Sequence, residues 1–260
     1  MRVFAPRFRK ALIVLGLLLA AYQQWSEATG LAHIREALKA APLPLDARDS
    51  ILARIDADPR SFQGYLAQAL AERESDPMLF RLVDKAKALP EGYVPGDLQA
   101  LDGSGLSVAR SGLRLRKAAL QALEAMDSAA RLDGITLLAA SCYRSYAYQA
   151  EVWDRSVKAD GLAETESGLA LPGHSQHQLG TALDFGPISD VFAETKASRW
   201  LSAKARSFGF SLSYPKGMTG ITGYRWESWH YRYIGKAAAA IEGEYFGGVQ
   251  QYLLTFLETM

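Results

Sequence analysis

The sequence predicts an α+β fold: a small antiparallel sheet flanked by helices, with a helical extension at the N-terminus. Three observations predict it. Apolar residues recur at helical spacing before residue 75 and again over residues 113–132. Short strand-like runs fall between residues 135 and 234, separated by glycine and proline. The two kinds of segment mix without regular βαβ repetition, which points away from a doubly wound sheet.

Residues 31–75 read as helical and peripheral. Leu31, Ile34, Leu38 and Ala41 keep helical spacing until Pro42 and Pro44 interrupt it. Asp46 can cap a second helix that carries Ile51, Leu52 and Ile55 and stops before Pro59. Ser61 can open a third, with Tyr65, Leu66 and Leu70 on its apolar side. Nothing here has the residue types for chemistry, so the region reads as a spacer or packing collar. The stretch Leu89 to Pro95 is extended, because each proline fixes its own φ and biases its predecessor away from helix. Residues 102–105 form a loop. A helix predicted from Leu113 to Leu132 buries Leu115, Ala119, Ala122, Met126 and Ala130, and Gly134 stands where a stop is expected. A strand over Ile135–Ala140, a helix over Tyr146–Lys158 and a strand over Thr181–Phe185 follow. A helix over Ser198–Phe208, strands at Phe210–Tyr214 and Trp229–Ile234, and a helical tail complete the chain.

The chain has 260 residues, 49% of them apolar and 22% charged, enough for one substantial core with a small helical appendage. Its 29 basic and 28 acidic residues leave a formal charge of +1, which offers no footprint for nucleic acid. The single cysteine, Cys142, excludes an intrachain disulfide. At the N-terminus Arg2, Arg7, Arg9 and Lys10 precede an uncharged apolar run from Ala11 to Tyr22, the pattern of an export signal. That run is shorter than the ~20 residues a membrane span needs. Ser26-Glu27-Ala28 offers a cleavage site; an uncleaved anchor and a buried core helix are the other readings. With a signal or an anchor, the protein acts outside the cytoplasmic membrane.

The chemistry concentrates in two clusters. The chain has four histidines: His33, an exposed helical residue by its pattern, and His174, His177 and His230. The first cluster runs from Pro172 to Asp184 and the second from Tyr224 to Tyr233. His177 and Asp184 are seven apart, which fits neither a short chelating turn nor a His-Glu-x-x-His helix. A turn at His177 leading into a strand through Ala182 and Asp184 lets both converge, with small Gly180 and Ala182 permitting close approach. His230 adds a second imidazole. Two imidazoles and one carboxylate leave a zinc ion an open position, where bound water has a pKa near 7. Glu227, a carboxylate near that position and not ligating, suits the base that takes the water's proton. His174 is the competing ligand at this stage, or else a loop or substrate-side residue. Arg144, at the end of the predicted Ile135 strand, offers a planar fork for a substrate carboxylate.

Ser175-x-His177-x-x-Gly180-x-Ala182-x-Asp184, followed by Glu227-x-Trp229-His230, resembles the VanY-type D-alanyl-D-alanine carboxypeptidases. These are zinc peptidases of the lysostaphin-type, D-Ala-D-Ala metallopeptidase and sonic hedgehog fold group. The resemblance covers residues 78–255 and includes Leu82-Val-Asp-Lys85, Leu89-Pro90, Tyr93, Pro95, residues 141–149 and Phe208-Gly-Phe-x-Leu-x-Tyr-Pro215. It implies that His177, Asp184 and His230 bind one zinc ion per chain and that Glu227 is the catalytic base. Arg144 would hold the substrate carboxylate or stabilise the oxyanion, and Gln149, Ser175, Tyr214 and Trp229 would line the substrate groove. Two positions depart from the family pattern: Cys142 replaces a glycine and Ser228 a proline. The resemblance thus implies a D,D-carboxypeptidase trimming peptidoglycan stem peptides, and a monomer is the expected state. An L,D-carboxypeptidase acting on tetrapeptide stems and a non-catalytic zinc-containing cell-wall-binding module are the alternatives. The implied organisation is a signal or anchor over 1–28, a spacer or collar over 29–75, and a zinc carboxypeptidase domain over 76–260.

Overall fold

The structure, a computed structural model, describes residues 29–260. The export-signal and anchor readings concern residues 1–28 and lie outside the described residues. Among the described residues no helix is long and apolar enough to cross a membrane.

Three helices come first: α1 (29–40), α2 (Leu45–Ala57) and α3 (Pro59–Ser75). The expected caps shift slightly. Pro44 flanks α2, so Asp46 lies in the first turn, where its charge still opposes the helix dipole favourably. α3 opens at Pro59 instead of Ser61, because Asp58 caps it by accepting from the Ser61 N–H at 3.2 Å. Proline suits that first helical position, whose N–H has no helical partner.

A two-stranded antiparallel sheet then pairs β1 (Leu98–Ala100) with β3 (Arg114–Arg116), with β2 (Ser107–Val108) between them in the chain. α4 (Lys117–Leu132) therefore begins four residues after the expected Leu113, because Arg114–Arg116 pairs as a strand. Next come β4 (Leu138–Ser141), α5 (Tyr146–Asp160), α6 (Leu162–Gly168) and β5 (Ala182–Phe185). α7 (Lys196–Lys204), β6 (Phe210–Leu212), α8 (Thr219–Thr222) and β7 (His230–Tyr233) follow, then α9 (Lys236–Glu244) and α10 (Gln250–Leu257). The main sheet has the order β2-β4-β5-β7-β6 and is antiparallel except where β2 joins β4.

Two cores result. Ala119, Leu123, Met126 and Ala130 of α4, with Leu201 of α7, cover one face of the sheet through Leu183, Phe185, Phe210 and Tyr231. The other core joins the first and last helices of the described residues. Leu38, Ile51, Ile55, Phe62 and Leu66 pack with Ile241, Leu253, Leu254 and Phe256 of α9 and α10. Arg232, fully buried on β7, donates to the carbonyls of Leu79 and Arg81 at 2.9 Å each, tying the segment after α3 to the sheet.

Because Phe62 sits in a core shared with α9 and α10, Phe62→Ala should destabilise by about 3–5 kcal/mol. Urea unfolding followed by circular dichroism and by tryptophan fluorescence should show one coincident transition for wild type and variant alike. A separate early helical transition would show that α1–α3 unfold on their own.

Candidate metal centre and active site

Three strands set their chemistry in one row. Ser141 of β4 pairs with Asp184 of β5, and Asp184 pairs with His230 of β7. Directly opposed residues share a face of the sheet. The alternating residues Leu183, Phe185 and Tyr231 enter the apolar core on the other face.

His177 reaches the row from a turn. The 3-10 turn Gln176–Leu179 is capped by Ser175 and ends on Gly180 at φ 70°. A Cβ on Gly180 would lie 2.9 Å from side-chain atoms of Arg116 and Leu98, so both the backbone conformation and the close approach require glycine. The turn brings His177 onto Asp184, as the spacing of the two residues demands.

Ligand atoms of His177, Asp184 and His230 lie within 4.8 Å of one another, and all three residues are buried. Asp184 Oδ2 is 3.1 Å from His177 Nε2, and Oδ1 is 2.9 Å from His230 Nδ1. The outer nitrogens meet oxygens too: His177 Nδ1 lies 2.7 Å from the Cys142 carbonyl, and His230 Nε2 lies 3.2 Å from Gln176 Oε1. Each outer nitrogen therefore carries the proton, and each inner one turns a lone pair towards the cluster. For His230, with an acceptor oxygen at both ring nitrogens, only a second ring proton or a cation beside Nδ1 satisfies both contacts. A tetrahedral zinc with bonds of ~2.0–2.1 Å keeps its ligands about 3.3 Å apart. The donors, their tautomers and their spacing fit one zinc ion per chain.

The electrostatics agree. Burial, with the charge of Arg144 adding to it, lowers His177 to about 4 and keeps it a neutral ligand. Burial alone would raise Asp184, but its partners hold it well below the usual carboxylate range, so it stays an ionised ligand.

A cavity of about 250 Å³ opens over the cluster, and its walls include Arg144, Gln149, Ser175, Tyr214, Glu227 and Trp229. Every site residue expected from the sequence thus meets in one place. Arg144 donates to Asp184 Oδ2 at 2.9 Å, to Gln149 Oε1 at 3.2 Å and to Ser141 Oγ at 3.1 Å. Gln149 is itself pinned by donating to the Ala170 carbonyl at 2.7 Å. Glu227 Oε2 stands 3.7 Å from His230 Nδ1; burial first, then the Asp184 charge, pushes its carboxyl up to about 8. The Tyr214 ring lies 4.8 Å from that of His230, and Arg225 lies over the Trp229 ring at 5.5 Å. His174 stands outside the cluster, its Nδ1 2.7 Å from the Asp84 carbonyl, so the competing ligand is set aside. His33 is exposed on α1.

Sequence reasoning missed Gln176 and the Cys142 carbonyl. A backbone carbonyl leaves no side-chain signal, and the only hint of Gln176 was its place beside His177. The two departures from the family pattern leave the ligands intact. The Cys142 side chain packs in the apolar core while its carbonyl serves His177, and Ser228 is buried before Trp229.

Comparison with known proteins places this geometry. Residues 112–236 match the family described as VanY, D-alanyl-D-alanine carboxypeptidase. YodJ of Bacillus subtilis (strain 168) is 36% identical over 170 residues, covering 63% of this chain and 62% of its own length. The chain thus spans just under two thirds of that relative. The LdcB LD-carboxypeptidase structure is 34% identical with a TM-score of 0.58, covering 66% of this chain and 86% of that one. A mutant of the vancomycin resistance D,D-pentapeptidase VanY from a VanB-type cassette, in complex with Zn(II), is 33% identical with a TM-score of 0.56; 68% of this chain and 99% of that one are covered. The chain belongs to the VanY-type D-alanyl-D-alanine carboxypeptidase family.

The fold favours neutral His177, so below pH 6.5 the unfolded chain takes up a proton that the folded one refuses until about pH 4. In metal-free protein this contribution is present above pH 6.5 and lost as pH falls to about 4, a span of about 3 kcal/mol. Urea unfolding against pH should show the slope in wild type and a shallower one in His177→Asn.

Proposed function

We propose that this chain is a zinc-dependent D,D-carboxypeptidase that removes the terminal D-alanine from peptidoglycan stem peptides, acting as a monomer outside the cytoplasmic membrane. The observation that carries the reading is Glu227. A buried carboxylate 3.7 Å from a ligand nitrogen, on the wall of the same cavity and outside the ligand cluster, supports the role of a catalytic base. It also counts against a module that only binds cell wall, since such a site needs no base.

Zinc, when bound, supplies Lewis acidity for the scissile carbonyl and lowers the pKa of bound water. The rest falls to the chain's own groups. Glu227 takes the proton of the attacking water and hands it to the leaving amine. Its carboxyl is raised by burial first and then by the Asp184 charge, and a dication held by Asp184 would offset that second cause and bring it back towards the range of a base at neutral pH. Arg144, steadied by Ser141 and Gln149, presents its guanidinium to the terminal carboxylate of the substrate or to the charge developing on the carbonyl oxygen. Ser175 and Gln149 offer hydrogen bonds to peptide groups, and Tyr214 and Trp229 wall the groove.

A second reading, cleavage of the L,D bond in a tetrapeptide stem, is supported by the likeness to LdcB. Zinc-loaded protein incubated with tetrapeptide and pentapeptide muropeptides should release alanine from the pentapeptide alone, read by mass spectrometry. Release from the tetrapeptide instead would favour the second reading, and release from neither would overturn both. Glu227→Ala should lower kcat by about 10²–10⁴-fold with zinc still bound; loss of the zinc would make Glu227 a ligand.

A further inference from the structure

We infer that Gln176 and Gln250 are positioning residues of the metal site, and that the helices outside the family match serve to hold Gln250 in place. The inference rests on the zinc site of the reading above and not on which bond is cut.

The observation is a buried polar chain running from His230 to the last helix. Gln176 Oε1 lies 3.2 Å from His230 Nε2 and accepts from Ser213 Oγ at 2.7 Å. Gln176 Nε2 donates to Gln250 Oε1 at 3.5 Å, and Ser213 Oγ lies 3.4 Å from the same oxygen. Gln250 Nε2 ends the chain on the Ser211 carbonyl at 3.5 Å. All five residues are buried, where polar groups take hydrogen-bond partners.

The chain has a direction. A backbone carbonyl can only accept, so Ser211 fixes which end of the Gln250 amide is the donor. That places Gln250 Oε1 towards Gln176 Nε2, which in turn places Gln176 Oε1 towards His230. An oxygen at that point keeps the proton on His230 Nε2 and leaves Nδ1 free to ligate. With the Gln176 amide reversed, the proton would move to Nδ1, the side that faces Asp184, and the ligand would be blocked.

The far end of the chain lies on α10, beyond the family match over residues 112–236. Gln250 is the first residue of that helix, and Leu253, Leu254 and Phe256 behind it pack into the core formed with Phe62 and Leu66 of α3. The N-terminal helices are thus a collar with a purpose: they seat α10, and α10 orients a metal ligand through two glutamines.

The test uses the full chain and zinc itself. Zn²⁺ affinity is measured by competition with a chromophoric chelator, and exchange of the His230 Nε2–H is followed by ¹⁵N NMR in zinc-loaded protein. Gln176→Leu should weaken zinc binding by about 10–100-fold and expose that proton to exchange. Gln176→Glu, which keeps an acceptor oxygen, should retain both. Gln250→Leu should shift both readouts in the same direction as Gln176→Leu, by a smaller factor. Gln178, on the same turn, donates instead to the carbonyls of Pro90 and Tyr93, so Gln178→Leu should cost stability without changing zinc affinity. Wild-type affinity and proton protection in Gln176→Leu and Gln250→Leu would overturn the inference. So would an equal loss of affinity in Gln178→Leu. Zinc binding by wild type without alanine release would overturn the proposed reaction and leave this inference standing.

Discussion

The site depends on one buried carboxylate. Asp184 lies in the sheet interior with an imidazole on each oxygen and the Arg144 guanidinium on Oδ2. Taking a lone carboxylate out of water costs several kcal/mol, so the residue is tolerable there only while those partners stay in place. The surrounding architecture meets that condition. The β5–β7 register sets His230 opposite it, and the turn ending at Gly180 brings His177 over it. A one-residue slip of β5 would replace Asp184 with Leu183 on the site face and turn the carboxylate into the apolar core.

The same carboxylate sets the balance between Arg144 and a metal. Arg144 Nη2 donates to Asp184 Oδ2 and lies 2.9 Å from His177 Nε2, the two atoms that a cation in the cluster would take. The ring nitrogen has a single lone pair, so a metal held there would displace Nη2 from His177. The carboxylate oxygen has a second lone pair and could go on accepting from Arg144. Arg144 keeps Ser141 and Gln149, which hold the guanidinium at the cavity wall with its fork available to an anion. One side chain can thus balance the Asp184 charge in metal-free protein and face the substrate in the loaded one.

Much of this was legible in the sequence for physical reasons. The α4 stripe reads clearly because burial at helical spacing leaves a periodic trace, and Ala119, Met126 and Ala130 are buried as expected. A metal site at these clusters could be read because few residue types hold a metal, but His174 stayed a rival ligand until the resemblance to the family implied His177, Asp184 and His230. β1, β2 and β3 could not be read, since two or three residues are too few to show alternation. Arg114–Arg116 looked like the start of α4 because only its partner β1, far off in sequence, makes it a strand. Gln176 and Gln250 were hidden for a different reason. An amide has no preferred pattern, and their link spans 74 positions of chain.

The division of labour within the cavity bears on specificity. The metal ligands and Ser141 sit on strands or on a turn locked to them, where register tolerates little change. The outer wall comes from elsewhere: Ser156 and Asp160 on α5, Glu164 and Thr165 on α6, and Ile188 in the loop after β5. Asp160, Glu164 and Ile188 are exposed, so substitutions there leave the ligand cluster undisturbed. A fold built this way can keep one hydrolytic centre while its rim selects among stem peptides. Relatives with D,D and L,D names on similar backbones are what such a separation would produce. The three ligands do not by themselves encode substrate choice, and the exposed residues of α5, α6 and the loop after β5 can vary around them.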